Sequence, residues 1–147
     1  MKYLLGIDIG TSGTKTVLFD EAGHGVASYT GEYPMAQPKN GWAEQDPADW
    51  WKAVVDGIRA VLAKSGIDAG EIRGIGLSGQ MHSLVLLDEK GEVLRPSILW
   101  CDQRTAVECE EIHTLMGGKE CYIEITANPA LTGFTAGKIL WVRKHEP

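Results

Sequence analysis

The sequence predicts an α/β fold built around a mixed β-sheet. Apolar stretches separated by tight turns fill residues 3–33, which indicates antiparallel strands joined as hairpins. A helical repeat of apolar residues follows over 46–66, and a short apolar strand at 72–78 comes directly after it. A second hairpin and further helical segments occupy the rest of the chain. Hairpins followed by a helix, a strand and more helices are typical of an α/β layout with a mixed sheet.

Length, composition and charge narrow the class of protein. The 147 residues are 44% hydrophobic and 23% charged, as in globular proteins, and could form one domain with a sizeable core. The formal net charge of −6 argues against nucleic acid and against an anionic membrane surface as partners. The sequence has no run of 18 apolar residues, so we expect no transmembrane helix.

The cysteines indicate neither a metal site nor a disulfide framework. Cys101, Cys109 and Cys121 are odd in number and lack paired Cys-x-x-Cys spacing. We therefore expect buried free thiols and a cytoplasmic location, where thiols stay reduced.

The first three strands are predicted at 4–8, 14–19 and 25–33. Small residues at 10–13 form the first turn, and an Asp-Glu-Ala-Gly sequence at 20–23 forms the second. Turns this short join antiparallel neighbours.

The first helix has clear signals at both ends. Asp46 is the predicted N-cap, Pro47 occupies the first turn, Asp49 favours the positive end of the helix dipole, and Gly66 ends the helix. Helical spacing, together with the default burial of aromatic residues, assigns one set of side chains to the core: Trp50, Trp51, Val54, Val55, Ile58 and Leu62.

The remaining elements are shorter. A turn at 88–91 joins two short strands, and residues 97–100 form another possible strand. Asp102 is the predicted N-cap of a helix that ends at Gly117-Gly118, and Thr135 is the predicted cap of the last helix.

The turn between the first two strands has the composition of an anion site. Gly10 and Gly13 permit a positive φ, which would let successive amide groups converge on a phosphate. Asp8, just before the turn, could hold a hydrated magnesium ion. The spacing matches neither a Walker loop nor a dinucleotide fingerprint, and a simple hairpin turn is the alternative.

Four sequence blocks, taken together, resemble the N-terminal part of the FGGY carbohydrate kinases, and among them the xylulokinases. Residues 8–15 resemble the first phosphate loop of the superfamily that includes actin and the sugar kinases. Residues 42–47 and 98–104 resemble two further family blocks, and 133–145 resemble the first FGGY signature. The resemblance implies an actin-like ATPase (ribonuclease H-like) fold, with a mixed sheet and flanking helices.

The resemblance also implies a set of site residues. Asp8 would position magnesium through water, and ATP would be the phosphoryl donor. The predicted phosphate-binding residues are Gly10, Thr11, Ser12, Gly13 and Lys15. The predicted sugar-binding residues are Met81, His82, Trp100 and Asp102.

Each predicted sugar-binding residue has a structural alternative. Met81 could fill the core, His82 could be an ordinary turn histidine, and Trp100 could simply be buried. Asp102 could serve only as a helix cap. Glycerol kinases carry an Arg-Glu pair where this chain has Met81-His82, whereas xylulokinases carry Met-His. Gluconate kinases of the family also carry a Met-His-Ser run, but usually without the Gly-Gln that precedes it here.

The implied function is ATP-dependent phosphorylation of D-xylulose to D-xylulose 5-phosphate. Residues 1–147 would then be an incomplete N-terminal domain, inactive alone because the family's aspartate base lies further downstream. Gluconate and glycerol kinases of the same family are alternatives, as is a non-catalytic actin-like or chaperone-like binding module. The expected partners are a small sugar and ATP with Mg²⁺, without nucleic acid or membrane, and the resemblance allows a homodimer.

Overall fold

The computed structural model describes residues 2–147, which form two compact units. The first unit comprises residues 2–35 and 46–80, and the second comprises 36–45 and 81–147. The strands are β1 (Tyr3–Ile9), β2 (Gly13–Asp20), β3 (Gly25–Glu32), β4 (Glu44–Gln45), β5 (Ile72–Gly79) and β6 (Ser97–Ile98). The α-helices are α1 (Pro47–Ser65), α2 (Ala106–Leu115), α3 (Lys119–Thr126) and α4 (Thr135–His145).

The first unit contains a four-stranded mixed sheet in the order β3-β2-β1-β5. The hairpin strands β1, β2 and β3 pair antiparallel, whereas β5 pairs parallel with β1. The helix α1 lies in the connection that precedes β5, as parallel pairing requires a crossover. The predicted mixed sheet is therefore confirmed.

The core of the first unit lies between the sheet and α1. Its buried apolar side chains are Leu5, Ile7, Leu18, Val54 and Val61. At the start of α1 the Asp46 carboxylate accepts a hydrogen bond from the Ala48 amide at 2.9 Å. At its end Gly66 has a φ of 68°, a left-handed conformation that suits glycine. Both predicted ends of the helix are confirmed.

The predicted buried face of α1 is wrong at Trp51. Trp51 is 70% exposed, and the buried residues of the helix are Ala53, Val54, Gly57 and Val61. A β-carbon added at Gly57 would lie 2.3 Å from the Thr16 hydroxyl oxygen, so the helix approaches β2 through its smallest residue. Because Gly57 faces β2, Trp51 lies on a side of α1 that is turned away from the sheet.

The second unit has a smaller core. Strands β4 and β6 pair antiparallel, and Leu84, Ile98 and Trp141 are buried beside them. Trp42 packs edge-to-face on Trp141, with ring centroids 5.3 Å apart. The predicted hairpin turn at 88–91 is present, with a bridge beyond it, and the predicted strand at 97–100 is confined to β6.

Two predicted helix caps in the second unit are wrong. The N-cap of α2 is Thr105, whose hydroxyl makes no capping hydrogen bond and donates instead to the Thr132 carbonyl oxygen at 3.4 Å. The Asp102 carboxylate does not cap the helix, because it accepts from Ala43 and Arg104. Thr135 is the first residue of α4 and not its cap, since its hydroxyl donates to the His82 carbonyl oxygen at 3.1 Å. The glycine end of α2 is confirmed, with Gly117 at a φ of 83°.

None of the helices within residues 2–147 combines the length and the apolar composition that crossing a membrane requires. Cys101, Cys109 and Cys121 are free thiols, as predicted, but the predicted burial is wrong at Cys121, which is exposed. Burial raises the pKa of the Cys109 thiol, which keeps it protonated and unreactive.

Candidate functional site

The turn between β1 and β2 is held by bonds to its own backbone and to Tyr33. The Gly10 amide donates to the Gly13 carbonyl oxygen at 3.0 Å, which closes the turn. The Tyr33 hydroxyl donates to the Gly10 carbonyl oxygen at 2.6 Å, and the Tyr33 amide donates to the Ser12 carbonyl oxygen at 3.4 Å. Burial raises the pKa of Tyr33, so its hydroxyl remains a donor.

The glycines of this turn serve a different purpose from the predicted one. Neither Gly10 nor Gly13 has a positive φ, so the expectation of left-handed backbone at these positions is wrong. A β-carbon added at Gly13 would lie 2.7 Å from the Gly31 carbonyl oxygen, and one at Gly10 would lie 3.2 Å from the Gly13 carbonyl oxygen. Close approach of backbone to backbone therefore excludes a side chain at Gly13 and would crowd one at Gly10.

Asp8 lies near the end of β1 and is exposed. Its register partners are Lys15 on β2 and Ser78 on β5. Leu5 and Ile7 face the α1 core, and side chains alternate along a strand, so Asp8 and Lys15 face the opposite side of the sheet. There they line a depression with the apolar side chains of Val17 and Phe19. The structure thus brings one carboxylate and one ammonium together beside the glycine turn.

The end of β5 is tied to the same turn. The Gln80 amide donates to the Ile9 carbonyl oxygen at 2.8 Å, and the Thr11 hydroxyl lies 3.4 Å from the Gln80 side-chain oxygen. Sequence reasoning missed Tyr33 and Gln80 as residues that hold this turn. Their partners lie 23 and 69 residues away, so no local pattern signals these contacts.

In the second unit, Met81 and His82 are exposed, with Met81 at 55%. His82 has a φ of 61°, unusual for a residue other than glycine, and its ring packs edge-to-face on Phe134 at 4.8 Å between centroids. Its carbonyl oxygen accepts hydrogen bonds from Thr135 and Lys138. The backbone of His82 is therefore fixed, while its side chain faces outward.

Trp100 and Asp102 differ sharply in exposure. Trp100 is 42% exposed, whereas Asp102 is fully buried. The Asp102 carboxylate accepts from the Ala43 amide at 2.7 Å and from the amide and guanidinium of Arg104 at 2.7 to 3.0 Å. In this arrangement Asp102 has no surface for a ligand, so direct contact with a sugar, as the sequence suggested, does not fit the structure.

Arg104 joins Asp102 to the rest of the second unit. Its guanidinium lies 3.6 Å from the Trp42 ring centroid and 4.9 Å from that of Trp141. It also pairs with Glu44 at 2.8 Å, and Glu44 pairs with Arg95 at 2.7 Å. Glu44 is therefore engaged in buried ion pairs and is unsuited to acid–base chemistry.

The chemistry available at Asp8 depends on ligands from outside the protein. Residues 2–147 contain no group of three or more histidine, cysteine or acidic side chains that could hold a metal ion. A magnesium ion at Asp8 would take most of its ligands from water and phosphate, which is its usual preference. An exposed carboxylate beside closely packed glycines fits such an ion.

The chain is similar to known proteins over nearly all of its length. Residues 3–147 match the N-terminal domain of the FGGY family of carbohydrate kinases. The xylulose kinase of Bacillus subtilis is 44% identical over 147 residues, an alignment that covers all of this chain and 29% of that protein. The chain therefore spans less than a third of this relative's length.

Solved structures give the same result for the fold. A xylulose kinase from Brucella ovis superimposes with a TM-score of 0.90 at 44% identity, covering 98% of this chain and 30% of that one. A gluconate kinase from Lactobacillus acidophilus superimposes with a TM-score of 0.87 at 36% identity, covering 99% of this chain and 29% of that one. The predicted actin-like ATPase fold is confirmed by this likeness to FGGY sugar kinases. With its match from residue 3 to residue 147, the chain belongs to the FGGY family of carbohydrate kinases.

Proposed function

We propose that this chain is the N-terminal part of a kinase that transfers the γ-phosphoryl group of ATP to D-xylulose. The observation that carries the proposal is the exposed Met81-His82 pair together with the Gly79-Gln80 that precedes it. Glycerol kinases carry Arg-Glu in place of the pair, and gluconate kinases usually lack the preceding Gly-Gln. The 44% identity to xylulose kinases supports the same acceptor. An imidazole can donate to or accept from a sugar hydroxyl, and a thioether can lie along a carbon chain.

At the phosphate end, we assign Asp8 to orienting the magnesium ion and its water ligands. Magnesium, when bound, would neutralise negative charge on the phosphates during transfer. The backbone amides from Gly10 to Gly13, with the hydroxyls of Thr11 and Ser12, would bind phosphate oxygens. Lys15 lies opposite Asp8 on β2 and would add positive charge near the same oxygens.

At the sugar end, Met81 and His82 would contact the ketose, and Trp100 would cover its carbon face. We assign Asp102 to positioning, because its carboxylate is buried and holds Ala43 and Arg104. These bonds fix the turn that follows Trp100 and so keep that ring in place.

The transfer itself is an in-line displacement. The terminal hydroxyl oxygen of the ketose bonds to the γ-phosphorus while the bond from that phosphorus to the β–γ bridging oxygen breaks, and ADP leaves with the electron pair. The hydroxyl proton passes to a base. We place that base, an aspartate, in the remainder of the full-length kinase.

The test is a comparison of acceptors with the full-length kinase. Phosphorylation from MgATP would be measured with D-xylulose, D-gluconate and glycerol, and we expect the highest kcat/KM for D-xylulose. The 147-residue chain alone should show no transfer above a control without protein. A higher kcat/KM for glycerol would refute the assigned acceptor, and transfer by the isolated chain would refute the assigned base.

Gluconate is the second candidate acceptor. The gluconate kinase from Lactobacillus acidophilus is 36% identical to this chain, with a TM-score of 0.87. The same set of measurements distinguishes the two, because a gluconate kinase would give its highest kcat/KM with gluconate.

A further inference from the structure

Lys138 on α4 is a fully buried lysine whose ammonium donates to backbone oxygens. Its ammonium donates to the carbonyl oxygens of His82 at 3.0 Å, Phe134 at 3.4 Å and Gly133. An ammonium has three protons and no acceptor, so these three carbonyls use its whole capacity.

Packing alone is a poor explanation for a lysine at this position. Burial lowers the pKa of Lys138 to about 8, with the charge of Asp102 acting in the opposite direction. An apolar side chain of similar volume would avoid the cost of removing a charge from water. The presence of a lysine at this position is better explained by the backbone carbonyl oxygens that its ammonium binds.

One of the carbonyls that it holds belongs to His82. With a φ of 61°, His82 is one of two non-glycine residues with positive φ between residues 2 and 147. That conformation is strained for a residue with a β-carbon and needs support from its surroundings. Lys138 and Thr135 supply this support as two donors to the same oxygen.

Another of the carbonyls connects Lys138 to the segment beside Trp100. A β-carbon added at Gly133 would lie only 3.0 Å from the Trp100 carbonyl oxygen, so these two stretches of backbone are in close contact. Lys138 holds the Gly133 carbonyl oxygen and the His82 carbonyl oxygen at once. One ammonium therefore joins the His82 segment to Gly133, whose backbone lies against the segment of Trp100.

We propose that Lys138 is a positioning residue for the sugar: its ammonium fixes the backbone of His82 and Gly133, and thereby directs the His82 imidazole and the Trp100 ring. The inference rests on the proposed function, because it takes His82 and Trp100 as the sugar contacts. Lys138 itself, fully buried, would not touch the substrate.

The experiment compares Lys138→Met with wild type in the full-length kinase. Methionine fills a similar volume but donates no hydrogen bond. We expect the KM for D-xylulose to rise about tenfold, the worth of a lost charge-assisted hydrogen bond, with the KM for MgATP within about twofold of wild type. Lys144→Met is the matched control on the same helix, where the ammonium pairs with Glu111, and neither constant should change.

A second variant keeps the inference testable if Lys138→Met fails to fold. Thr135→Val removes the other donor to the His82 carbonyl with little change in shape, and a smaller rise in the KM for D-xylulose is expected. Thr114→Val, which removes an ordinary bond within α2, is its control. An unchanged KM for D-xylulose in every folded variant, or an equal rise for MgATP, would overturn the inference.

The kinetic measurements distinguish a failure of this inference from a failure of the proposed function. If wild type phosphorylates none of the three acceptors, the proposed function fails, and the inference fails with it. If wild type prefers gluconate or glycerol, the KM comparison is made with that acceptor. An active wild type with an unaltered KM in folded Lys138→Met refutes the positioning role alone.

Discussion

At the scale of single residues, the candidate functional residues of each unit are either side chains that face solvent or buried side chains that hold their neighbours. Asp8, Met81 and His82 are exposed, whereas Asp102 and Lys138 are fully buried. Exposed groups can touch a ligand, and buried groups can act only through their neighbours. Substitutions of the exposed residues should therefore change kinetic constants directly, whereas substitutions of the buried residues should act through the neighbours that they hold.

Substitution of Asp8 and of His82 should separate phosphoryl transfer from sugar binding in the full-length kinase. Asp8→Asn removes a charge assigned to orienting magnesium, so kcat should fall by about two orders of magnitude or more. His82→Ala removes a sugar contact, so the KM for D-xylulose should rise about tenfold, while kcat changes less. Steady-state kinetics with both substrates varied measure this, and an unchanged KM in His82→Ala contradicts its role.

The stability of the chain should depend on pH through Lys138. Its pKa is lowered by burial from 10.5 to about 8, so between these values the unfolded state binds more protons than the folded state. Stability linked to this group must then rise with pH, by up to about 3 kcal/mol between pH 8 and pH 10.5.

Urea unfolding of the 147-residue chain at pH 7.5 and pH 10 measures this contribution. The rise due to Lys138 should disappear in Lys138→Met and persist in Lys119→Met, which changes an exposed lysine. Equal pH dependence in wild type and Lys138→Met would show that the buried amine does not titrate in this range.

At the scale of elements, the signals that the sequence reveals are local ones. Asp46 and Gly66 were recognisable as the ends of α1 because a cap bonds within its own helix. Asp102 was misassigned as a cap because its carboxylate binds the Ala43 amide, 59 residues away. The burial of α1 was misjudged at Trp51, since the close contact between Gly57 and Thr16 is tertiary.

Substitutions on α1 should show which of its faces matters. Gly57→Ala would place a β-carbon 2.3 Å from the Thr16 hydroxyl oxygen, so it should destabilise the chain by about 1–3 kcal/mol despite the better helix propensity of alanine. Trp51→Ala removes a side chain that is 70% exposed and should change stability by less than about 0.5 kcal/mol. Urea unfolding of both variants measures this. A larger loss in Trp51→Ala would contradict the observed helix orientation.

At the scale of the whole molecule, order along the chain was the most predictable property. The hairpin strands, the first helix and the strand after it follow one another along the chain in the predicted order. Each of these elements is recognisable from its own periodicity and turn residues. The exposed site residues could be proposed from residue types and the family resemblance. The buried bonds of Tyr33, Gln80 and Lys138 could not, because hydrogen bonds between distant segments leave no periodic pattern.

The isolated 147-residue chain should self-associate. Ile75 and Leu77 on β5 are 60% and 74% exposed, and β5 is a terminal strand of the sheet. Large exposed apolar groups at a sheet edge favour association, and charged groups there oppose it. The double variant Ile75→Lys/Leu77→Lys should sediment with a lower average mass than wild type. Leu115→Lys, which removes an equally exposed leucine from α2, should not.

The outer side of β5 also has a practical consequence. The outward N–H and C=O groups of a terminal strand are available for pairing, so the same strand of another molecule can add to the sheet there. Overproduction in a crowded cell would raise the frequency of such encounters and so favour deposition into inclusion bodies. Slow expression at low temperature, or a lysine facing outward on that strand, should therefore increase the recovered yield of this chain.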